Sequence, residues 1–283
     1  MLKQMVWATA WIALATMLQA CGGGGGVGAN STGGPQTANT VGVNEPQKSG
    51  VNSQPADVGL VPVQQKSLAG LYEGTTTDGY FYKSLLLEDL TYLAVYGVGA
   101  YPNAYLQGLI QASGRTEVNQ QFNASGNDYT VAGTGTAATV MATYELGQTL
   151  NGKMSSSLRN LQFSSKPLTN DRYDFQRSAS LGGVAGTWSA ISLLYKQGQM
   201  NITTSGAITA EMTGCKLQGQ MNPSPQGKNI FVINLTTETE MCFDPMVKYE
   251  GLAVQYKEAS GSSMLIFATD VKTGKKMVWM ANR

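Results

Sequence analysis

The chain has 283 residues, with 19 lysines and arginines against 18 aspartates and glutamates, and it contains no histidine. Without histidine there is no Ser-His-Asp or Cys-His catalytic arrangement and no imidazole metal site, which excludes most hydrolase and metalloenzyme chemistries. The near-zero net charge and the lack of a basic stripe argue against a nucleic-acid partner, because affinity for a polyanion comes mainly from clustered lysine and arginine.

Residues 1–20 have the pattern of a secretory signal peptide. Lys3 precedes an apolar run from Met5 to Leu18, and the small residue Ala20 lies just before a cysteine. The run has the length of a signal-peptide core and is too short to cross a bilayer as a helix. We therefore expect residues 1–20 to be removed during export.

The segment Leu18-Gln19-Ala20-Cys21 resembles the lipobox of bacterial lipoproteins, although Gln19 departs from the small or aliphatic residue usual at its position. In that class the cysteine is diacylated on sulfur, the signal peptide is cut before it, and the new amino group is acylated. The resemblance implies that Cys21 carries two or three acyl chains, enough for stable anchoring. By the same resemblance, Gly22 favours the outer membrane of a Gram-negative cell. The alternative is an ordinary signal peptide with a cysteine near its cleavage site.

Residues 21–66 have the composition of a tether. They include five consecutive glycines after Cys21 and four prolines, with no aromatic residue. Such a segment cannot bury enough apolar surface to offset the entropy lost on ordering, so we expect it to be disordered. Roughly 45 flexible residues have a root-mean-square reach of about 35–40 Å.

From Leu68 onward, short stretches alternate apolar and polar residues, clearest at 199–203, 208–212 and 252–257. A period of two residues indicates strands with one buried and one wet face. Strands of this length with frequent turn residues predict an all-β body, built as an antiparallel sandwich or barrel.

The body contains pairs of similar short segments: 68–72 and 184–188, 105–109 and 215–220, and, more weakly, 150–152 and 249–251. These pairs predict two similar β-lobes, the first over 67–178 and the second over 181–283. Each is long enough to bury a core of its own. A single continuous β-domain is the alternative.

Cys215 and Cys242 are the two cysteines that follow Cys21, and both lie in the second predicted lobe. An even pair in an exported protein predicts a disulfide. Two buried thiols or a reactive pair are the alternatives, but there is neither a Cys-x-x-Cys spacing nor a histidine to activate a thiolate.

A glycine-rich segment in the first lobe carries Tyr101, Pro102 and Tyr105, and tyrosines crowd the residues before it. Tyrosine offers a rigid contact surface with a polar tip and is common at recognition surfaces. We therefore predict a binding loop formed by these three residues. The alternative is that the tyrosines belong to a sheet, in which residues alternate between its two faces.

Candidates for catalysis are few, and the chain has no nucleophile elbow, phosphate-binding loop or calcium-binding loop. Paired carboxylates, as in glycosidases, are the remaining route to hydrolysis, and Glu238 and Glu240 would share a face of a strand. The alternative is that they are exposed charges at a strand edge. We predict no catalytic residue, no metal ion and no cofactor.

The combination of a lipid anchor, a long tether and paired β-lobes resembles the surface lipoproteins that include transferrin-binding protein B and factor H-binding protein. The resemblance is one of motif for residues 1 to about 30 and of architecture for the body. It implies a non-catalytic binding module for a protein or an envelope component, facing either the cell surface or the periplasm. Because the lobes lack the barrel motifs of transferrin-binding proteins, it does not imply their ligand. An assembly accessory facing the periplasm and a carboxylate-dependent hydrolase are the alternatives.

Overall fold

A computed structural model describes residues 67–100, 103–130, 134–169, 171–193, 196–238, 242 and 245–283. The predicted signal peptide and tether, including Cys21, lie outside the described residues. So do Tyr101 and Pro102 of the predicted binding loop, and Glu240 of the carboxylate pair.

The first eight strands form a closed antiparallel barrel in which each strand pairs with the next and the eighth returns to pair with the first. A single turn of 3-10 helix, Val118–Gln120, separates the fourth strand from the fifth. The strands are β1 (Gly70–Thr76), β2 (Phe81–Leu86), β3 (Thr91–Val98), β4 (Tyr105–Glu117), β5 (Gln121–Tyr129), β6 (Gly135–Glu145), β7 (Thr149–Ser156) and β8 (Asn160–Pro167).

A short helix, α1 (Leu181–Val184), leads into a second closed barrel of the same up-and-down topology, in which β16 returns to pair with β9. Its strands are β9 (Gly186–Ser192), β10 (Gln197–Ile202), β11 (Ala207–Met212), β12 (Cys215–Pro223), β13 (Phe231–Thr237), β14 (Lys248–Glu258), β15 (Gly261–Asp270) and β16 (Lys276–Asn282). Neither described helix is long and apolar enough to cross a membrane.

The prediction of an all-β fold with two similar lobes is confirmed, and each lobe is a barrel. Two of the three segment pairs lie at equivalent places, at the entry to the first strands β1 and β9 and within the fourth strands β4 and β12. The third pair was wrong as a sign of duplication, because 150–152 lies in the seventh strand of its barrel and 249–251 lies in the sixth.

The interior of the first barrel is largely aromatic. Tyr72, Tyr82, Tyr92 and Tyr96 are at most 2% exposed, and the ring of Tyr82 stacks on that of Phe163 with centroids 4.5 Å apart. The crowding of tyrosines early in this lobe therefore reflects its core.

The interior of the second barrel differs in its large residues, with several methionines beside two tryptophans. The side chains of Met200, Met212, Met221 and Met264 are buried in it, together with those of Ala190, Ala210, Ala253, Ala268 and Ala281. Methionine is unbranched and adaptable, so this interior is less rigidly filled than one made of aromatic rings.

A third apolar layer lies between the two barrels. It consists of outward-facing residues of β1 to β4 packed against those of β9 and β14 to β16, including Leu71, Leu85, Leu93, Val95, Ile191, Val254, Leu265, Phe267, Val278 and Met280. Strands buried on both faces have continuous apolar runs, and β3 and β15 each show six consecutive buried residues. By contrast, β6 and β8 alternate buried and exposed residues.

Charged side chains border this layer. Arg172, in the connection between the barrels, donates hydrogen bonds to both carboxylate oxygens of Glu73 and to the carbonyl of Lys257. The ammonium of Lys83 lies 3.3 Å from Glu73 and 2.9 Å from Glu258 of the second barrel. The hydrogen bond from Arg172 is the main reason why the pKa of Glu73 is lowered. The two barrels therefore meet through both an apolar layer and an ionic network.

Candidate functional site

One end of the second barrel is closed by Trp188, which is fully buried. Its indole Nε1 donates a hydrogen bond to the carbonyl of Val184, 2.8 Å away. The guanidinium of Arg283 lies over the indole, 4.5 Å from the ring centroid, and donates to backbone carbonyls of Gly183 and Ala185.

Gly186 makes this arrangement possible. It has a φ of +128°, which favours glycine, and a Cβ at this position would lie 2.8 Å from Nη1 of Arg283. The first barrel closes in a related way, because the hydroxyl of Tyr72 donates to the carbonyl of Leu68, 2.7 Å away and also four residues earlier. The duplication predicted from residues 68–72 and 184–188 thus extends to a shared hydrogen bond.

The opposite end of the second barrel, where β9, β11, β13 and β15 finish, holds a pocket of about 840 Å³. Its walls inside the barrel include Met212, Leu217, Met277 and Trp279, all of which belong to the barrel core or pack against it. The pocket continues over the rim of the barrel, where residues of the first barrel, including Tyr129, complete it.

Cys215 and Cys242 lie at this mouth and are joined by a disulfide with a Cα–Cα distance of 4.4 Å. The bond attaches the connection between β13 and β14 to the first residue of β12. With a sequence separation of 27 residues, the chain-entropy model gives a stabilisation of about 3–4 kcal/mol. The disulfide thus holds one wall of the pocket.

The rim is basic. Lys196, Lys275 and Lys276 line the pocket, and no aspartate or glutamate appears among its described lining residues. The ammonium of Lys276 donates to the hydroxyl of Thr269 at 2.9 Å and lies 5.6 Å from the ring centroid of Tyr129. Its pKa is lowered from the ordinary value because partial burial disfavours the charged form.

In the first barrel, a polar network occupies part of the interior. The hydroxyl of Tyr96 donates to the carboxylate of Asp128 at 2.6 Å, and Arg159 Nε lies 3.5 Å from the same carboxylate. The hydroxyls of Tyr82 and Tyr92 are 2.6 Å apart. Burial and the bond to Asp128 both raise the pKa of Tyr96, so its hydroxyl stays protonated and remains a donor.

Gly108 of β4 provides room for this network, because a Cβ there would lie 2.1 Å from the hydroxyl oxygen of Tyr96. The two barrels thus share a topology and differ in how their interiors are filled.

Of the predicted site residues, Cys215 and Cys242 line the pocket, whereas the described candidates for binding and catalysis lie apart from it. Tyr105 is the first residue of β4 and is 52% exposed. Glu238 follows β13 and is exposed. Neither lines the pocket. The described residues contain no group of three or more histidine, cysteine, aspartate or glutamate side chains placed to hold a metal ion.

Sequence reasoning missed the pocket residues, above all Lys276, Met277 and Trp279. The available signal was the concentration of methionine in the second lobe, where Met200, Met212, Met221, Met264, Met277 and Met280 all lie.

No protein-family model and no curated protein matches the chain. Among solved structures, the chain is similar to a candidate outer membrane protein from Bacteroides fragilis NCTC 9343, with 11% identity over 76% of this chain and 95% of that chain. The TM-score of 0.22 is too low to support an inference about fold or function.

Proposed function

We propose that the protein is a lipid-anchored, non-catalytic binding protein of the outer membrane, and that its second barrel binds a small apolar component of the envelope. The observation that carries this proposal is the pocket of about 840 Å³ at the mouth of that barrel. Small-molecule sites are typically concave, mostly apolar cavities of about 300–1,000 Å³. An eight-stranded barrel is wide enough either to be filled by side chains or to hold one small ligand.

The side chains that line the pocket inside the barrel favour an apolar ligand. Burial of apolar surface contributes roughly 25 cal/mol per Å² removed from water, and Met212, Leu217 and Trp279 offer such surface at the mouth. Met212 can also change rotamer to fit ligands of different shape. The described carboxylates, including Glu238, lie outside the pocket, which supports binding over hydrolysis.

The anchor is supported by the sequence around Cys21 and by the composition of residues 22–66. A tether with a reach of about 35–40 Å allows the barrels to approach a ligand or partner at some distance from the lipid surface. The protein would then collect or present an envelope component while remaining attached to the membrane.

Filling the pocket is expected to weaken binding of an apolar probe. The full tether and both barrels, residues 22–283, would be titrated with the neutral fluorophore N-phenyl-1-naphthylamine, excited directly. We expect saturable binding by the wild type and at least about tenfold weaker binding by Leu217→Trp, because a large indole would occupy the mouth. The matched control is Leu158→Trp, since Leu158 is 56% exposed on the first barrel.

Circular dichroism would establish that both variants keep the wild-type fold. Absence of saturable binding by the wild type, or equal binding by a folded Leu217→Trp protein, would contradict a ligand site at this mouth.

The anchor is tested by Cys21→Ala in intact cells. We expect the wild type in the membrane fraction and the variant absent from it, because the variant has no sulfur to acylate. Protease added to intact cells, with a periplasmic protein as control, then distinguishes a body on the cell surface from one facing the periplasm. A variant that stays firmly in the membrane would overturn the assignment of Cys21.

A further inference from the structure

We infer that the ligand of the second barrel is a single-chain amphiphile with an anionic head group, and that Lys276 binds this head group. The inference rests on the proposed function, and it adds the chemical class of the ligand and the residue that selects it. It follows from the arrangement of apolar and cationic side chains along one strand, β16, and from the charges around the rim.

Strand β16 places Met277 and Trp279 on the inner face of the barrel wall and Lys276 on the outer face. Successive residues of a strand point to opposite faces. Met277 and Trp279 belong to the interior, whereas Val278 belongs to the layer between the barrels. Lys276, the first residue of the strand, shares the outward face and lies at the rim. A ligand that crosses this rim therefore meets apolar walls on one side and an ammonium on the other.

The ammonium of Lys276 lacks a charged partner among the described residues. Its neighbours are the hydroxyl of Thr269 and the ring of Tyr129, which carry no charge, and no described carboxylate lies within ion-pair distance. A partly buried charge without a counter-ion is unfavourable, and an anion placed against it relieves that cost. The lowered pKa of Lys276 has burial as its cause.

The carboxylate of Asp270 interacts with groups other than Lys276. It accepts hydrogen bonds from the backbone N–H of Lys272, 2.8 Å away, and from the hydroxyl of Thr273, and it lies close enough to Lys275 to interact electrostatically. Asp270 is therefore engaged by its own turn and by Lys275, and it does not neutralise Lys276.

The remaining features of the pocket limit the class of ligand. Three lysines disfavour a cationic head group. The methionine, leucine and tryptophan walls disfavour a free inorganic anion or a sugar, which would leave polar groups against apolar surface. The interior of one eight-stranded barrel accommodates one small ligand, which favours a single chain.

The test compares two probes with the same chain, dodecanoate and dodecanol, in displacement of N-phenyl-1-naphthylamine from residues 22–283. We expect the wild type to bind dodecanoate about tenfold more tightly than dodecanol, because a charge-assisted hydrogen bond is added. Lys276→Gln should weaken dodecanoate binding about tenfold and leave dodecanol binding unchanged. Lys276→Arg, which keeps the charge, should retain most of the wild-type preference.

Lys153→Gln is the matched control, since Lys153 is exposed on β7 of the first barrel, and it should leave both affinities unchanged. Equal affinity of the wild type for the two probes, or an unchanged dodecanoate affinity in Lys276→Gln, overturns the inference. If the fluorophore binds in a Leu217-dependent way and neither probe displaces it, the ligand class is wrong and the proposed function stands. If the fluorophore does not bind, the proposed function fails and the inference fails with it.

Discussion

Leu265→Asp is expected to destabilise the folded chain by about 4 kcal/mol or more. Leu265 lies on the outward face of β15 with no solvent exposure, within the apolar layer between the barrels. The substitution removes the burial of a leucine side chain, worth about 1.5–3 kcal/mol, and places a carboxylate within the apolar layer. The measurement is urea denaturation followed by circular dichroism.

The wild type should unfold in a single transition because the barrels share this layer, and Leu265→Asp should separate the transition into two. The matched control is Leu158→Asp at an exposed leucine, for which we expect a change within about 0.5 kcal/mol. If both aspartate variants lose equally little stability, the barrels fold independently and the layer contributes nothing to cohesion.

Trp188→Ala is expected to cost about 3–5 kcal/mol of stability, the usual range for removal of a buried tryptophan. The side chain closes one end of the second barrel, and its loss leaves a cavity beneath Arg283 and removes the donor to the carbonyl of Val184. Far-UV circular dichroism is the appropriate probe, because Trp188 and Trp279 are the two tryptophans after residue 20 and fluorescence would change with the substitution itself.

Two conservative variants separate packing from hydrogen bonding at the closed ends. Trp188→Phe keeps a ring and leaves the Val184 carbonyl without its donor, and Tyr72→Phe does the same for the Leu68 carbonyl in the first barrel. Both should cost about 1–3 kcal/mol. A loss below about 1 kcal/mol for Trp188→Ala would show that the indole is not the element that closes the barrel.

The two barrels have the same topology and differ in the large side chains that fill them. Aromatic rings and a buried network around Asp128 occupy the first interior. In the second, Met212 and Met277 border the pocket at the mouth, and the disulfide between Cys215 and Cys242 holds one wall. The same topology therefore encloses two different interiors, and the pocket borders the second.

The predicted tyrosine binding loop shows what local sequence patterns can predict about side-chain exposure and what they cannot. Tyr105 is exposed, as a binding residue must be, but Tyr72, Tyr82, Tyr92 and Tyr96 point into the first barrel. The alternation of strand residues between two faces of a sheet can be predicted from sequence. Which of the two faces becomes buried depends on how the sheet closes. The apolar layer between the barrels could have been predicted from β3, in which six consecutive residues are buried. Continuous apolar runs are typical of strands covered on both faces.

The sequence by itself determined the all-β body, its division into two similar lobes and the cysteines of the second lobe, and it predicts an export signal with a candidate acylation site. Each of these depends on local chemistry: a cleavage motif, a period of two residues, a repeated strand entry and the number of thiols. Only the tertiary structure decided that the sheets close, that their outer faces meet, and that Lys276 lies beside an apolar mouth. The physical reason is that cavities and interfaces arise from the volumes and charges of residues far apart in the chain, and no local pattern records what their packing leaves empty.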